Sequence, residues 1–186
     1  PPAPTDEFTI TSDRVQRAYT LLMAPAPAYA DDRRHAAALL AQALGGSGGN
    51  SRFHWALIEP GIAEEAEGSF EPHDGGGDWF CFAVCEPEKL EEVERIMNRE
   101  IDGLVESLEE SDLERLRNRA LTAATLAGER PGGRMQRLGR MWTYLGRRVS
   151  LEEDLEKINA VTLDDLRAVY EAFPFRPRVV GRLTPA

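Results

Sequence analysis

Apolar residues recur along this chain with two periods, and each period marks out a different kind of element. Arg14 to Ala24 (RVQRAYTLLMA) carries β-forming residues in partial alternation and stops at Pro25-Ala26-Pro27, which predicts a strand. Asp31-Asp32 then precedes an Ala/Leu-rich stretch, His35 to Leu44, that reads as a helix with acids at its N-terminus, where the dipole favours them. It ends at a glycine loop. A short helix is predicted from Ser51 to Ile58, stopped by Glu59-Pro60-Gly61. Ala63 to Phe70 and Trp79 to Cys85 read as two strands joined by the turn-rich EPHDGGGD.

The second half changes to helical periodicity. From Glu86-Pro87 onward, Leu90, Val93, Ile96, Met97, Ile101, Leu104, Val105 and Leu108 recur at three- and four-residue steps, predicting one long amphipathic helix. Ser111-x-x-Glu114 reads as a capping box opening the next helix, with Leu113, Leu116 and Ala120 on its buried side. A break at Pro131-Gly132-Gly133 precedes a helix through Leu145. Ser150-x-x-Glu153 starts a short helix, Thr162-x-x-Asp165 caps another through Ala172, and residues 176–183 form a closing strand. Strands grouped apart from helices predict an α+β fold, one antiparallel or mixed sheet covered by helices. Residues 1–13 read as a linker or extended lead-in and 14–186 as a single domain.

Composition and charge narrow the function classes. The 186 residues are 42% hydrophobic and 29% charged, a globular composition, with a net charge of −10. Residues 1–58 are neutral, 59–114 carry −16, 115–148 carry +8 and 149–186 carry −2. An acidic balance argues against a nucleic-acid binder. No apolar run approaches the ~20 residues of a membrane-spanning helix, so no membrane span is predicted. The chain opens on Pro1, not Met, which reads as an internal fragment or processed product. Its only cysteines, Cys81 and Cys85, would lie about 13 Å apart on one strand face at ~3.3 Å per residue, too far to bridge. They read as core thiols.

Candidate chemistry is sparse. His35, His54 and His73 form neither HExxH nor HxxEH, so no metal site is predicted from this chain. The loop Gly45-Gly46-Ser47-Gly48-Gly49-Asn50-Ser51 opens a helix but follows one and lacks the Lys-Ser/Thr of a P-loop. It reads as a mobile loop near a ligand or partner, or as a helix–helix connector. There is no GxSxG; Ser51 and His54 share one helical turn, a spacing expected by chance. Arg130, Arg134 and Arg137 flank an apolar stripe of Met135, Leu138, Trp142 and Leu145. They read either as a solvated edge pairing with the acidic helix over 86–110, or as a surface for an acidic partner domain or peptide.

Taken in order, the motifs resemble the non-catalytic, C-terminal repeat of the pitrilysin/insulinase zinc peptidases, a family that includes mitochondrial processing peptidase. The matching residues are Gln16 with LLMAPAP, HAAALLAQALGGSGGNSRFHWALIEPGIAEEAEGSF, WFCFAV, EPEKLEEVERIMNREIDGL, SDLERLRNRAL and SLEEDLEKINAVTLDDLRAVYEAF with RPRVVGRL, spanning about residues 14–184. The resemblance implies a two-layer α+β roll and two homologous halves facing one another around a chamber. It also implies zinc and its general base on an HxxEH helix of the other, upstream half, with no cofactor in this chain.

In active relatives this half adds an Arg and a Tyr, seven residues apart, within Arg-Glu-x-x-Gly-Leu-Ala-Tyr. Such donors stabilise developing negative charge. Aligning that motif on Gly61-Ile62-Ala63-Glu64 puts Glu64 at the Tyr position and Leu57 at the Arg position, so no catalytic residue carries over. The expectation is a non-catalytic C-terminal half closing a substrate chamber. The alternative is a catalytically dead family member acting as a subunit, scaffold or peptide-binding module. Expected partners are the homologous N-terminal half or a paired subunit, and a peptide substrate. Gly46, Gly48, Gly49, Ser51 and Glu64 are the expected substrate- or partner-facing positions.

Overall fold

A computed structural model describes residues 5–46, 49–176 and 178–186. Five strands, β1 (Asp6–Ser12), β2 (Ala18–Ala26), β3 (Glu65–Pro72), β4 (Gly77–Cys85) and β5 (Val179–Pro185), form one sheet in the order β1-β5-β2-β4-β3. β1 runs parallel to β5 and the other neighbours are antiparallel, so the sheet is mixed and the fold is α+β. Of the stretch expected as a linker or extended lead-in over residues 1–13, the first four residues lie outside the described ones and the rest is not free. From Asp6 to Ser12 it pairs residue by residue with Val179–Pro185 and forms the sheet edge. Its alternation of small polar and apolar residues suits an edge strand as well as a linker, and only the distant β5 distinguishes the two.

Even-numbered positions of β2 (Ala18, Thr20, Leu22, Ala24, Ala26) and odd-numbered ones of β4 (Trp79, Cys81, Ala83, Cys85) face the helices and are buried. Trp79 stacks on Phe175 at 4.6 Å, and its indole N–H donates to the Phe173 carbonyl at 3.0 Å, pinning the C-terminal segment beneath the sheet.

α1 (Arg34–Gly45) is the hub. Its alanines are buried on nearly every side, because small side chains let the helix meet β3 on one flank and further helices on the others. Its last residue, Gly45, meets Gly68 of β3 backbone to backbone; a methyl group there would lie 2.0 Å from the Gly68 nitrogen. His35, at the other end of α1, pairs with Asp154 at 3.0 Å, and Arg137 reaches the same carboxylate at 3.3 Å. Burial alone would raise the Asp154 pKa, but the hydrogen bond and charge of His35, with Arg137, hold it below the ordinary aspartate value.

The remaining helices are α2 (Leu90–Asp102), α3 (Glu110–Glu129), α4 (Pro131–Leu145), α5 (Leu151–Ala160) and α6 (Leu163–Ala172). Ser150 and Thr162 cap α5 and α6 at the predicted positions. Three expectations change. The long helix stops at Asp102: the Gly103 N–H donates to Arg99, and the Tyr170 hydroxyl donates to the Ile101 carbonyl at 3.1 Å. Leu104 is nonetheless fully buried, so the apolar periodicity persists through a turn because the same core continues beneath it. The capping box at α3 is Glu109 with Asp112, not Ser111 with Glu114, since acids satisfy the orphan amides two residues earlier. Pro131 opens α4 instead of breaking the chain before it, its missing N–H costing nothing at a first helical position.

The expected pairing of the Arg-rich stretch with the acidic helix over 86–110 is not formed by α4. Arg137 pairs with Asp154 of α5, while Glu94 and Glu100 of α2 pair with Arg182 and Arg52. α2 lies on the sheet and α4 on α3, which separates the two charge runs.

The opposite face of the sheet has no helix of the described residues on it. It presents Phe8 and Ile10 (β1), Leu183 (β5), Tyr19, Leu21 and Met23 (β2), and Phe80 and Phe82 (β4). Ile10 is 56% exposed and Met23 37%. The apolar part of this face spans four strands ~4.8 Å apart and about seven residues long, a footprint of about 400 Å², while β3 places Glu65, Glu67, Ser69 and Glu71 beside it. That is the size of the largest apolar patch on a typical monomer, which often marks an interaction site.

Candidate functional site

The segment after α1 carries the positions singled out from sequence. Gly46 ends α1 in an extended conformation, and its N–H donates to Gln42 at 3.2 Å. Gly48 lies outside the described residues. Gly49 has a φ of +74°, a left-handed conformation that glycine adopts without strain, and it passes close to the His54 ring. Ser51 is buried. Its hydroxyl accepts from the His54 backbone N–H at 3.4 Å, so it caps the following helical turn and does not address the imidazole. That turn is a π-helical stretch, His54–Ile58.

Beside it lies an open groove of about 410 Å³, lined among others by Asn50, Trp55, Arg52 and Glu100. The Asn50 side-chain oxygen accepts from the exposed Trp55 indole at 3.2 Å, and Arg52 bonds Glu100 at 3.1 Å on the groove wall.

Leu57, where active relatives of the resembled family place a donor, is fully buried and packs into the core. Glu64 is half-exposed and held by Arg17, whose guanidinium also reaches Glu86 at 3.2 Å. The hydrogen bond to Glu64 raises the Arg17 pKa above its ordinary value. Among the described residues no hydrogen bond links Glu64 to the Ser51–Trp55 group, so the sequence-chosen positions fall into two clusters. Chemically, an aliphatic side chain and a neutralised carboxylate supply no pair of donors for an oxyanion. Among the described residues, no group of three or more His, Cys, Asp or Glu side chains is placed to hold a metal ion.

Sequence reasoning missed Arg17, whose carboxylate partners lie 47 and 69 residues away. It also missed the open sheet face, for which a signal existed: WFCFAVC is apolar at both parities, the pattern of a strand covered on both sides.

Comparison with known proteins agrees with this geometry. The profile of the peptidase M16 inactive domain matches residues 1–120. The chain belongs to that family. It is 28% identical over 157 residues to an uncharacterized zinc protease of Streptomyces coelicolor, covering 84% of this chain and 34% of the relative. It is 24% identical over 163 residues to one of Mycobacterium tuberculosis, covering 87% and 37%. The chain thus spans about a third of the length of the curated relatives it matches. Among solved structures, a protease from Helicobacter pylori superimposes with a TM-score of 0.86 at 15% identity, over 96% of this chain and 44% of that one. A peptidase M16 inactive domain from Pseudomonas fluorescens gives 0.77 at 18%, over 97% and 43%. The resemblance to the inactive repeat of this zinc-peptidase family is borne out, as is the α+β fold.

Proposed function

We propose that this M16 inactive domain is the non-catalytic half of a zinc-dependent peptidase, closing a substrate chamber against an upstream half that carries the metal and its general base. The observation that carries the reading is the sheet, apolar on both faces at its strands β2 and β4 but covered by helices on one. At about 25 cal/mol per Å², leaving about 400 Å² of apolar footprint in water forgoes up to about 10 kcal/mol. A chain about a third the length of relatives named zinc proteases leaves room for another part of the same protein to cover that face. On this reading Gly46, Gly49 and Glu64 face substrate or the partner half, Ser51 stands behind them as the buried cap of the His54–Ile58 turn, and a peptide is the substrate.

Leu57 and Glu64 favour a second reading, a catalytically dead member serving as a subunit, scaffold or peptide-binding module. The test is cleavage of a quenched fluorogenic peptide mixture by the full-length protein. Cleavage abolished by a chelator and restored by zinc supports the peptidase half. Absence of cleavage from zinc-loaded protein that still binds peptide supports the dead member. Hydrogen exchange at β1 and β5 as fast in the full-length protein as in the isolated chain would remove both, because nothing would then cover the sheet.

A further inference from the structure

The charge division along the chain concentrates cations without partners around α4. Of the nine arginines between residues 115 and 148, Arg115, Arg117, Arg137 and Arg147 pair with carboxylates. Among the described residues, no carboxylate lies within ion-pair distance of Arg119 on α3, nor of Arg130, Arg134, Arg140 or Arg148, all on or flanking α4. Three guanidiniums, from Arg134, Arg137 and Arg148, line a cleft of about 350 Å³ between the end of α3, α4 and the start of α5. Leu138 and Leu151 supply its apolar wall, and exposed Glu152 is its single acid. The Arg137 side chain spends one amino group on the Ser150 carbonyl and Asp154, while its buried Nε–H has no partner.

An apolar stripe adjoins this cleft. Met135, Leu138 and Trp142 recur at three- and four-residue steps on α4 and are 69%, 44% and 69% exposed. Leu138 belongs to both features, so stripe and cleft form one continuous surface. The helix is held by its other side, through Met141 in the interior and Tyr144 stacked on Tyr29 at 4.8 Å. Packing therefore does not account for three exposed large apolar residues. Trp, Met and Arg together are the composition of protein–protein contact surfaces, where aromatic and guanidinium anchors carry most of the binding energy.

We propose that the α4 face and its arginine cleft dock an acidic segment of another polypeptide, one in which Asp or Glu alternates with aromatic or aliphatic residues. A carboxylate enters the cleft between Arg134, Arg137 and Arg148, where a planar guanidinium pairs with it in two-pronged fashion. The interspersed apolar side chains cover Met135 and Trp142. This chain's own acidic stretch is folded into β3, β4 and α2, which leaves the cleft open to a segment supplied in trans. A short acidic segment is favoured over nucleic acid or an anionic bilayer by the net charge of −10. An extended polyanion would meet that repulsion over its whole length, whereas a short segment interacts within about one Debye length of ~8 Å.

The experiment uses the full-length protein in chelator, which prevents cleavage of the probe. The probe is a short fluorescein-labelled peptide alternating Glu with Leu and Phe, read by anisotropy. Saturable binding is expected, at least about tenfold tighter than that of the same peptide with Lys in place of Glu. The exposed double charge reversal Arg134→Glu with Arg148→Glu should weaken it by about tenfold or more, as should Trp142→Ala, with circular dichroism unchanged. Hydrogen-exchange protection on binding should be confined to α4 and the first turn of α5. Equal binding of the Lys peptide, or no loss in the variants, overturns the proposal. So does a preference for phosphatidylserine vesicles or a DNA duplex, or protection of α4 before any peptide is added.

Discussion

Gly45→Ala tests the central packing of this fold. The new methyl would sit 2.0 Å from the Gly68 nitrogen and 2.6 Å from the Glu67 carbonyl carbon, both backbone atoms of a paired strand. Non-bonded heavy atoms rest at about 3.5 Å, so α1 and β3 must separate by about 1.5 Å where they now touch. No side-chain rotation can absorb this, and α1 is buried on most sides, so the shift propagates into its contacts. Overpacking of this kind costs about 3 kcal/mol, offset by up to about 1 kcal/mol of gained helix propensity. A net loss of about 2 kcal/mol lowers Tm by roughly 4–8 °C for a chain of this size.

Two companions calibrate the result. Gly68→Ala places its methyl 3.2 Å from Gly45 backbone atoms, a strain that a small adjustment relieves, and should cost about 1 kcal/mol. Gly139→Ala in α4 meets open space and should stabilise by up to about 1 kcal/mol. Urea denaturation followed by tryptophan emission ranks the three. A Gly45→Ala protein as stable as its parent, or more stable than Gly68→Ala, would refute the close approach of α1 and β3.

Further outcomes can be measured independently. Glu94 accepts from Thr20 at 2.8 Å and from Arg182 at 2.6 and 2.7 Å, and Arg182 also holds Glu7 of β1; Glu94→Ala should cost about 2 kcal/mol and speed hydrogen exchange in β1 first. The folded-state pKa of Asp154 is depressed, so its stabilisation is present above the ordinary aspartate value of about 4 and lost as pH falls below it. Asp154→Asn should flatten that part of the acid-unfolding curve, and an unchanged curve would count against the His35–Asp154 joint. Burial pushes the Cys81 thiol up to about 12, so iodoacetamide at neutral pH should label it only after unfolding. Leu57→Arg should cost more than about 3 kcal/mol by burying an unpaired charge, read as loss of the cooperative urea transition, whereas exposed Glu64→Gln should stay within about 1 kcal/mol.

The elements legible in advance were those with a local cause. The period of Leu90 to Ile101, the caps Ser150 and Thr162, and the alternation in β2 each depend on residues within a turn or two of one another. The expectation that Leu57 and Glu64 stand at the positions of a donor pair likewise rests on a motif that is local in sequence. Errors arose where two local signals competed. Acids outranked a serine at the start of α3, and Leu104 and Leu108 continued an apolar period through a turn that Gly103 had already begun.

By itself, then, the sequence determined most of the elements, the α+β class and the family. Tertiary structure decided that residues 6–12 join the sheet, that Arg17 neutralises Glu64, and that all the helices lie on one side. It also decided that α4 stands clear of the acidic stretch, with its arginines unpaired. The physical reason is separation along the chain. Periodicity records which side chains of an element avoid water, but not which element does the covering. That choice rests on pairings such as β1 with β5 or Thr20 with Glu94, whose partners lie tens to well over a hundred residues apart.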